Sequence, residues 1–460
     1  MKPIMVAGTS SSAGKSVVTA AICRVLAKRG YDVAPFKAQN MSLNSYITSD
    51  GKEIAIAQAY QAFAAGVEPD ARMNPILLKP KGEGVSQLVI MGEAVGDVDI
   101  FEYWKMLDEI KKIVRRAFEE LANEFEIIVI EGAGGVAEIN LYDRDVANIY
   151  MARLAKPNMV VVGDIDRGGV FASLYGSYAL LPEDVRKLVK GFVINRLRGR
   201  SDVLAEGISK LEEMTGVKVL GVLPHLEFPL PSEDSLNVEE WKDCGRVAIL
   251  RLPRMSNYTD FEPIRGVCCF AKGSLEGYDV VIVPGSKDTV ADLKFVKQKW
   301  GDELKKVAGR KPIIGICGGY QMLGRELIDY GVESCRGRFK GLGLLDAVTE
   351  FREFRKTTRQ VRKRVVADAA IIGKLRGEYV WGYEIHKGVT RSERRLFEDE
   401  GCVSEDGMTW GTYLHGLFWN RNLVDALSEY LGVKIEVVED WAEALADAFE
   451  RHVSIDPLLS

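Results

Sequence analysis

The sequence predicts two α/β domains in tandem, each built on a largely parallel sheet, and three observations predict it. Short β-branched runs alternate with helical patterns in both halves, as strands buried on both faces by helices require. A stretch with three prolines, from Pro224 to about Gly245, interrupts that alternation near the middle. Each half also carries a glycine-rich turn between a strand and a helix, where open α/β sheets collect their ligands.

Bulk properties narrow the class. A chain of 460 residues exceeds what one core usually organises. With 61 basic against 66 acidic residues, the net charge of −5 gives no electrostatic reason to expect nucleic acid or an anionic membrane as partner. The opening residues, MKPIMVAGTSSSAGK, reach glycine and serine too soon for a secretory leader. No stretch attains the ~18 uninterrupted apolar residues of a spanning helix. Seven cysteines (23, 244, 268, 269, 317, 335 and 402) form no CxxC pair, so neither a disulfide framework nor a zinc site is expected. A cytoplasmic location is the expectation.

In the first half, Ile4–Ala7 reads as a strand and Ser16–Arg29 as a helix stopped by Gly30. Val17, Val18, Ala21, Ile22, Val25 and Leu26 share one face of that helix. Further strands are expected at Val33–Phe36, Ile127–Ile130, Met159–Val162, Phe192–Ile194 and Val219–Leu223. The second half begins again with Val247–Leu250, Val280–Val283 and Ile313–Ile316, and Tyr379–Ile385 and Thr409–Leu414 read as a final strand pair. The expected division is residues 1–233, a linker at 234–245, and a second domain at 246–450.

Between the first strand and helix lies Gly8-Thr-Ser-Ser-Ser-Ala-Gly-Lys-Ser16. Consecutive backbone N–H groups in such a loop cradle phosphate oxygens, and the helix N-terminus adds favourable partial charge. Gly14 gives the turn, Lys15 would reach the β- and γ-phosphates, and Ser16 would hold Mg²⁺. Thr9 occupies the place of the usual first glycine. A magnesium site needs further oxygen ligands. Glu131, at the end of Ile127–Ile130 and followed by Gly-Ala-Gly-Gly, is the leading candidate; Glu138 and Asp50 are secondary ones.

In the second half, a strand runs into Gly315-Ile-Cys317-Gly-Gly319 and then a helical pattern. This is a nucleophile elbow with cysteine at its tip. A helix N-terminus favours the anionic form of a thiol placed there. Cys23, on the apolar side of the first helix, reads instead as a buried structural cysteine. A thiolate nucleophile needs a base, and the chain has four histidines, at 225, 386, 415 and 452. His415, at a strand end and followed by glycine, is the best placed, with His386 its rival. Val283-Pro-Gly285-Ser ends another strand, so the N–H groups of Gly285 and Gly318 are the candidate oxyanion donors.

These residues carry a resemblance. The C-terminal half resembles the class I, triad-type glutamine amidotransferases, and the phosphate-loop half looks like the dethiobiotin synthetase family. Their fusion in this order is similar to the cobyric acid and cobyrinic acid a,c-diamide synthases of vitamin B12 biosynthesis. Four segments resemble the cobyric acid synthase branch in particular: Phe36-Lys-Ala-Gln-Asn-Met-Ser-Leu-Asn44, Asn74-Pro-Ile-Leu-Leu-Lys-Pro80, Asp164-Ile-Asp-Arg-Gly-Gly-Val-Phe171 and Pro231-Ser-Glu-Asp-Ser235.

The resemblance implies that ATP phosphorylates a corrinoid carboxylate and that ammonia from glutamine displaces the phosphate. Four carboxylates (b, d, e and g) of adenosylcobyrinic acid a,c-diamide are amidated in turn. It further implies that Gly14, Lys15 and Ser16 bind ATP phosphates and Mg²⁺, with Glu131 as a further ligand. Lys37 is then a second phosphate contact and Asn195 reads adenine. Cys317 carries the glutamyl thioester, with His415 as acid and base. Asp164, Asp166 and His386 are candidate substrate contacts.

Where many triad amidotransferases have glutamate two residues after the histidine, this chain has Leu417, so Glu384 and Tyr413 are the candidates to orient His415. The alternatives are a cobyrinic acid a,c-diamide synthase or another ATP-dependent amidotransferase. A P-loop ATPase acting as a conformational switch shares the loop. It has no use for the Cys317 elbow or for a strand-end histidine 98 residues later.

Overall fold

The computed structural model describes residues 1–82, 84–225, 245–353, 356–436 and 440–460. The chain forms two compact units. The first comprises Met1–Ser42, Ile54–Leu230 and Glu439–Ser460, and the second Leu43–Glu53 and Pro231–Val438.

A six-stranded parallel sheet lies at the centre of the first unit. Its order is Val219–Pro224, Val189–Leu197, Asn158–Asp164, Ile4–Gly8, Ile127–Glu131, Val33–Phe36. All six strands expected in the first half are present, Val33–Phe36 with the expected ends. Their unbroken apolar character has a simple cause, since successive side chains point to opposite faces and both faces are covered. Ile4, Val6, Val129, Val160 and Val162 face one core, and Met5, Ala7, Ile128, Ile130 and Val161 face the other.

The helix Lys15–Lys28 starts one residue after Gly14 and buries Val18, Ala21, Ile22, Val25 and Leu26. Its end is closed by N–H groups of Gly30 and Tyr31 turning back to Ala27 and Leu26, with Gly30 at φ +86°. Four short strands, Gln39–Met41, Ile76–Gly82, Val85–Ile90 and Glu93–Asp99, form a second, mostly antiparallel sheet that the alternation of strands and helices did not foretell.

The second unit is centred on the strands Cys268–Phe270, Val247–Ile249, Val280–Val283, Ile313–Ile316, Thr409–Thr412 and Cys402–Val403, in that order. All neighbours are parallel except the last pair. A single core gathers the inner sides of this sheet, its helices and the smaller sheets around it.

Three expectations about organisation differ from the structure. Tyr379–His386 and Thr409–Thr412 are not partners. The first pairs with Thr357–Arg364 and with the short strand Leu414–His415, whereas the second lies beside Ile313–Ile316. The chain changes sheets at Tyr413, which a continuous apolar run conceals. The helix Trp441–Glu450 belongs to the first unit, contrary to a second domain reaching residue 450. It buries Leu445 and Phe449 beside Val25 and Leu26, and Glu443 meets Arg24 and Lys28 at 2.9 and 2.8 Å. Leu43–Glu53 packs in the second unit although it falls within the first by sequence. The expected linker and Pro231–Ser235 lie outside the described residues, apart from Gly245. Among the described residues no helix is long and apolar enough to cross a membrane.

Candidate active sites

Parallel strands align their C-terminal ends, so the residues that follow them share one edge of the sheet. In the first unit this edge carries the glycine-rich loop after Ile4–Gly8 and, on the neighbouring strand, Glu131, which is paired in register with Val6. Ser16 Oγ donates to Glu131 Oε1 at 2.9 Å, and Lys37 Nζ donates to the same oxygen at 2.8 Å. Gln58 and Gln61 donate to Oε2. Glu131 is fully buried, and these donors together with Lys37 meet the hydrogen-bonding capacity of its carboxylate.

Lys15 Nζ donates to the carbonyl of Ser10 in its own loop and to that of Gly134 in the segment after Ile127–Glu131, each at 2.9 Å. Gly14 has φ +97°, and a Cβ there would stand 2.0 Å from Asn195 Nδ2. Asn195, at the end of the strand Val189–Leu197, donates that amide to Ala13 O at 3.0 Å.

Ser16 and Glu131 offer a hydroxyl and a carboxylate oxygen side by side. This fits Mg²⁺, which takes one or two protein oxygens and completes its shell with phosphate and water. Among the described residues no cluster of three or more His, Cys, Asp or Glu is arranged to hold a metal by itself. Glu138 is exposed, and a Cβ on Gly135 would stand 2.8 Å from its Oε1. Asp50 belongs to the second unit. It sits there in an exposed turn, its carboxylate engaged by the Thr48 hydroxyl. Lys37 and Asn195 are partners of Glu131 and Ala13. Asp164 lies at its strand end, held by Arg196 at 3.0 Å, and Asp166 is exposed and paired with Arg198 at 2.7 Å.

In the second unit, Cys317 stands between Ile313–Ile316 and Gly318–Leu323 with φ +50° and ψ −109°. A non-glycine residue in that region stores roughly 1–3 kcal/mol of strain and persists only where its surroundings hold it. They do so here. Cys317 N donates to Thr412 O at 2.8 Å, and a Cβ on Gly319 would fall 1.9 Å from Val283 O, so only glycine fits behind the turn. The sulfur lies 3.5 Å from Ile385 O.

His415 is delivered by the short strand that begins where the chain leaves the main sheet. Its Nδ1 meets Asp260 Oδ2 at 2.6 Å, both side chains being almost fully buried, and Gly416 N donates to Asp260 Oδ1 at 2.9 Å. Burial opposes protonation of the imidazole, but Asp260 and the adjacent Cys317 sulfur outweigh it and raise His415 to about 10. Among the described residues Nε2 has no hydrogen-bond partner of ordinary geometry, and the Cys317 thiol is the group beside it. Tyr383 stacks on the imidazole at 5.4 Å.

The expected oxyanion donors fall at this place. A Cβ on Gly285 would lie 3.4 Å from His415 Cε1, and one on Gly318 would lie 2.8 Å from Ser286 N. Gly318 opens its helix, so its N–H has no partner within the helix.

Asp260 is the functional residue that sequence reasoning missed. It sits in the 3₁₀ turn Tyr258–Ile264, and nothing in Asn257-Tyr-Thr-Asp260 marks it locally. Neither earlier candidate orients His415. Glu384 is taken by Lys363 at 2.7 Å and Arg359 at 2.6 Å. The Tyr413 hydroxyl is taken by Thr390 and Gln321. His386 is engaged elsewhere: its ring stacks on Tyr413 at 3.6 Å, Nδ1 faces Gly388 O, and burial lowers it to about 4. Cys23 is buried as expected, and burial pushes its thiol far up.

Comparison with known proteins matches both halves of the chain. Residues 4–230 match the CobQ/CobB/MinD/ParA nucleotide binding domain, and residues 246–423 match the CobB/CobQ-like glutamine amidotransferase domain. The chain is 65% identical to the probable cobyric acid synthase of Archaeoglobus fulgidus, with 100% of each chain covered. The chain belongs to the cobyric acid synthase family. The probable cobyric acid synthase of Methanosarcina mazei is 50% identical, over 99% of this chain and 98% of that one. Members of the cobyric acid synthase family are glutamine-dependent amidotransferases of cobalamin biosynthesis. Asp260, Cys317 and His415 all fall inside the amidotransferase match, and the loop, Glu131 and Asn195 inside the nucleotide-binding match. Leu417, where other triad enzymes have glutamate, is fully buried, and Asp260 supplies the carboxylate from another segment.

Proposed function

We propose that the chain amidates the b, d, e and g carboxylates of adenosylcobyrinic acid a,c-diamide, using ATP, Mg²⁺ and the side-chain nitrogen of glutamine. The observation that carries this reading is the Cys317–His415–Asp260 constellation in one unit of a chain whose other unit presents a phosphate loop.

In the amidotransferase unit, Cys317 Sγ attacks the side-chain amide carbon of glutamine. The N–H groups of Gly285 and Gly318 hold the oxygen as it gains charge. His415 Nε2 gives its proton to the departing nitrogen, so ammonia leaves and a glutamyl thioester remains. His415 then takes a proton from water, whose oxygen displaces the sulfur and releases glutamate. Asp260 holds Nδ1 throughout and stabilises the charged ring. Water must reach the thioester without flooding the site, which its buried setting favours.

In the nucleotide unit, Gly14, Lys15 and Ser16 would bind phosphate oxygens, and Ser16 and Glu131 would hold Mg²⁺, which offsets phosphate charge. ATP supplies the phosphoryl group that turns a poor electrophile, the carboxylate, into one that ammonia can attack. Lys37 and Asn195 are proposed as further nucleotide contacts, Glu138 as a further metal contact, and Asp164 and Asp166 as corrinoid contacts. The test is Cys317→Ala. It is expected to abolish glutamine-dependent amidation of the corrinoid while ammonia-dependent amidation continues. Retention of glutamine use would overturn the reading.

A further inference from the structure

The crossing that delivers His415 is held by one carboxylate. Thr409–Thr412 runs parallel to Ile313–Ile316, whereas Leu414–His415 runs antiparallel to Tyr379–His386. Behind the junction, Glu400 Oε2 accepts the Tyr413 N–H at 3.2 Å and Oε1 accepts the Thr412 hydroxyl. Thr412 touches both catalytic segments. Its carbonyl accepts the Cys317 N–H at 2.8 Å, and its hydroxyl oxygen accepts the Leu414 N–H at 2.9 Å. A hydroxyl has one proton, so with a lone pair given to Leu414 it donates to Glu400. Both Glu400 oxygens are therefore acceptors, the role of an ionised carboxylate.

We propose that Glu400 is a positioning residue for glutamine cleavage, its carboxylate fixing the sheet-to-sheet turn that sets His415 against Cys317. The proposal rests on the reading of Cys317 and His415 as the glutamine-cleaving pair. Glu400 is half-buried as a residue, but its carboxyl group is surrounded by protein, and this burial pushes it up to about 7 against the pull of Thr412 and Lys363. The charged and titratable groups facing it are Lys363, Arg359, Glu384, Tyr413 and Tyr320. Glu384 is held below the usual carboxylate range despite its burial, by Arg359 and Lys363, and burial moves both tyrosines above theirs. Protonating Glu400 removes the charge that strengthens its bonds to Tyr413 N–H and the Thr412 hydroxyl, and makes Thr412 redirect its proton, which loosens the turn. Glu262, in the turn that carries Asp260, is also raised by burial to about 7 and serves as the control.

The experiment measures glutamine-dependent and ammonia-dependent amidation against pH in Glu400→Gln, Glu262→Gln, Thr412→Val and Thr412→Ser. Misplacing a catalytic group by about 1 Å costs up to a hundredfold, so Glu400→Gln is expected to lower glutamine-dependent kcat roughly tenfold to a hundredfold. Its ammonia-dependent rate should stay near the parent's. The acidic limb of the glutamine-dependent profile near neutrality should disappear in Glu400→Gln and persist in Glu262→Gln. Thr412→Val should mimic Glu400→Gln, while Thr412→Ser, which keeps the hydroxyl, should restore activity.

An unchanged kcat in Glu400→Gln, a limb that follows Glu262, or an equal fall in ammonia-dependent activity would each overturn the proposal. If Glu400→Gln does not fold, the two Thr412 variants decide, and equal rates overturn it. Failure of the underlying reading shows otherwise, as a parent protein that cannot use glutamine or a Cys317→Ala protein that still can.

Discussion

In the nucleotide-binding unit, Lys15 and Ser16 follow one loop, and Ser16 meets Glu131 from the adjacent strand. In the amidotransferase unit, Asp260 and His415 are 155 residues apart and Cys317 lies between them in sequence. The first arrangement depends on backbone N–H groups and one helix end, so a short contiguous sequence encodes most of it. The second depends on three side chains, with His415 between Asp260 and Cys317, and each arrives on a different element. The strain also differs. Gly14 adopts its left-handed conformation without a side chain to clash, whereas Cys317 holds a similar φ with one, and Thr412 and Gly319 restrain it. A loop of the first kind can be recognised from its own residues; a site of the second kind needs the fold.

That contrast predicts where damage spreads. The largest effect is expected from Asp260→Asn, which leaves the imidazole in place but in the wrong tautomer. Glutamine-dependent kcat should fall on the order of 10⁴-fold, as for the buried aspartate of a serine protease, with ammonia-dependent amidation retained. A loss shared by both activities would show that the amidotransferase unit is not separable in this sense. Lys15→Ala should cost about 10²- to 10³-fold, the scale for removing one charge-stabilising donor, and should do so with either nitrogen source. Steady-state rates with glutamine and with ammonia check both.

A smaller effect concerns pH. His415 is raised above its ordinary 6.5 to about 10, so the stability it gains from Asp260 is fully present below about pH 6.5 and is lost as pH rises through about 10. Urea unfolding of the parent and Asp260→Asn, followed by a probe in the amidotransferase unit, should show a gap at pH 6.5 that narrows by pH 10.5. A gap that widens would reverse the assigned sign. The smallest effect belongs to the first unit. Lys28→Ala removes ion pairs to Glu443 and Asp447, which are part-exposed, and should cost under about 1 kcal/mol. A larger loss in thermal unfolding would mean that the helix Trp441–Glu450 depends on charge rather than on Leu445 and Phe449.

Much of this was readable in advance. The six strands of the first sheet, the helix after Gly14, the Ser16–Glu131 pairing and the Cys317 elbow all follow from local patterns. The errors share one cause. Thr409–Leu414 looks like one strand because its apolar run is continuous, and only pairing with Tyr379–His386 splits it at Tyr413. Asp50 was a secondary metal candidate among the residues of the first half, yet Leu43–Glu53 folds with the other unit. Glu384 looked free to orient His415 because the claims of Lys363 and Arg359 on it are not visible locally.

What the sequence determined by itself was the pair of sheets, the loop that follows the first strand, and the thiol at the tip of its turn. These depend on hydrophobic period, glycine placement and residues within one turn of each other. What only the tertiary structure decided was the partner of His415, the neighbours of Glu400 and the unit to which each end of the chain belongs. Those depend on which distant segments pack together, and packing free energy is summed over the whole core rather than written in any one stretch.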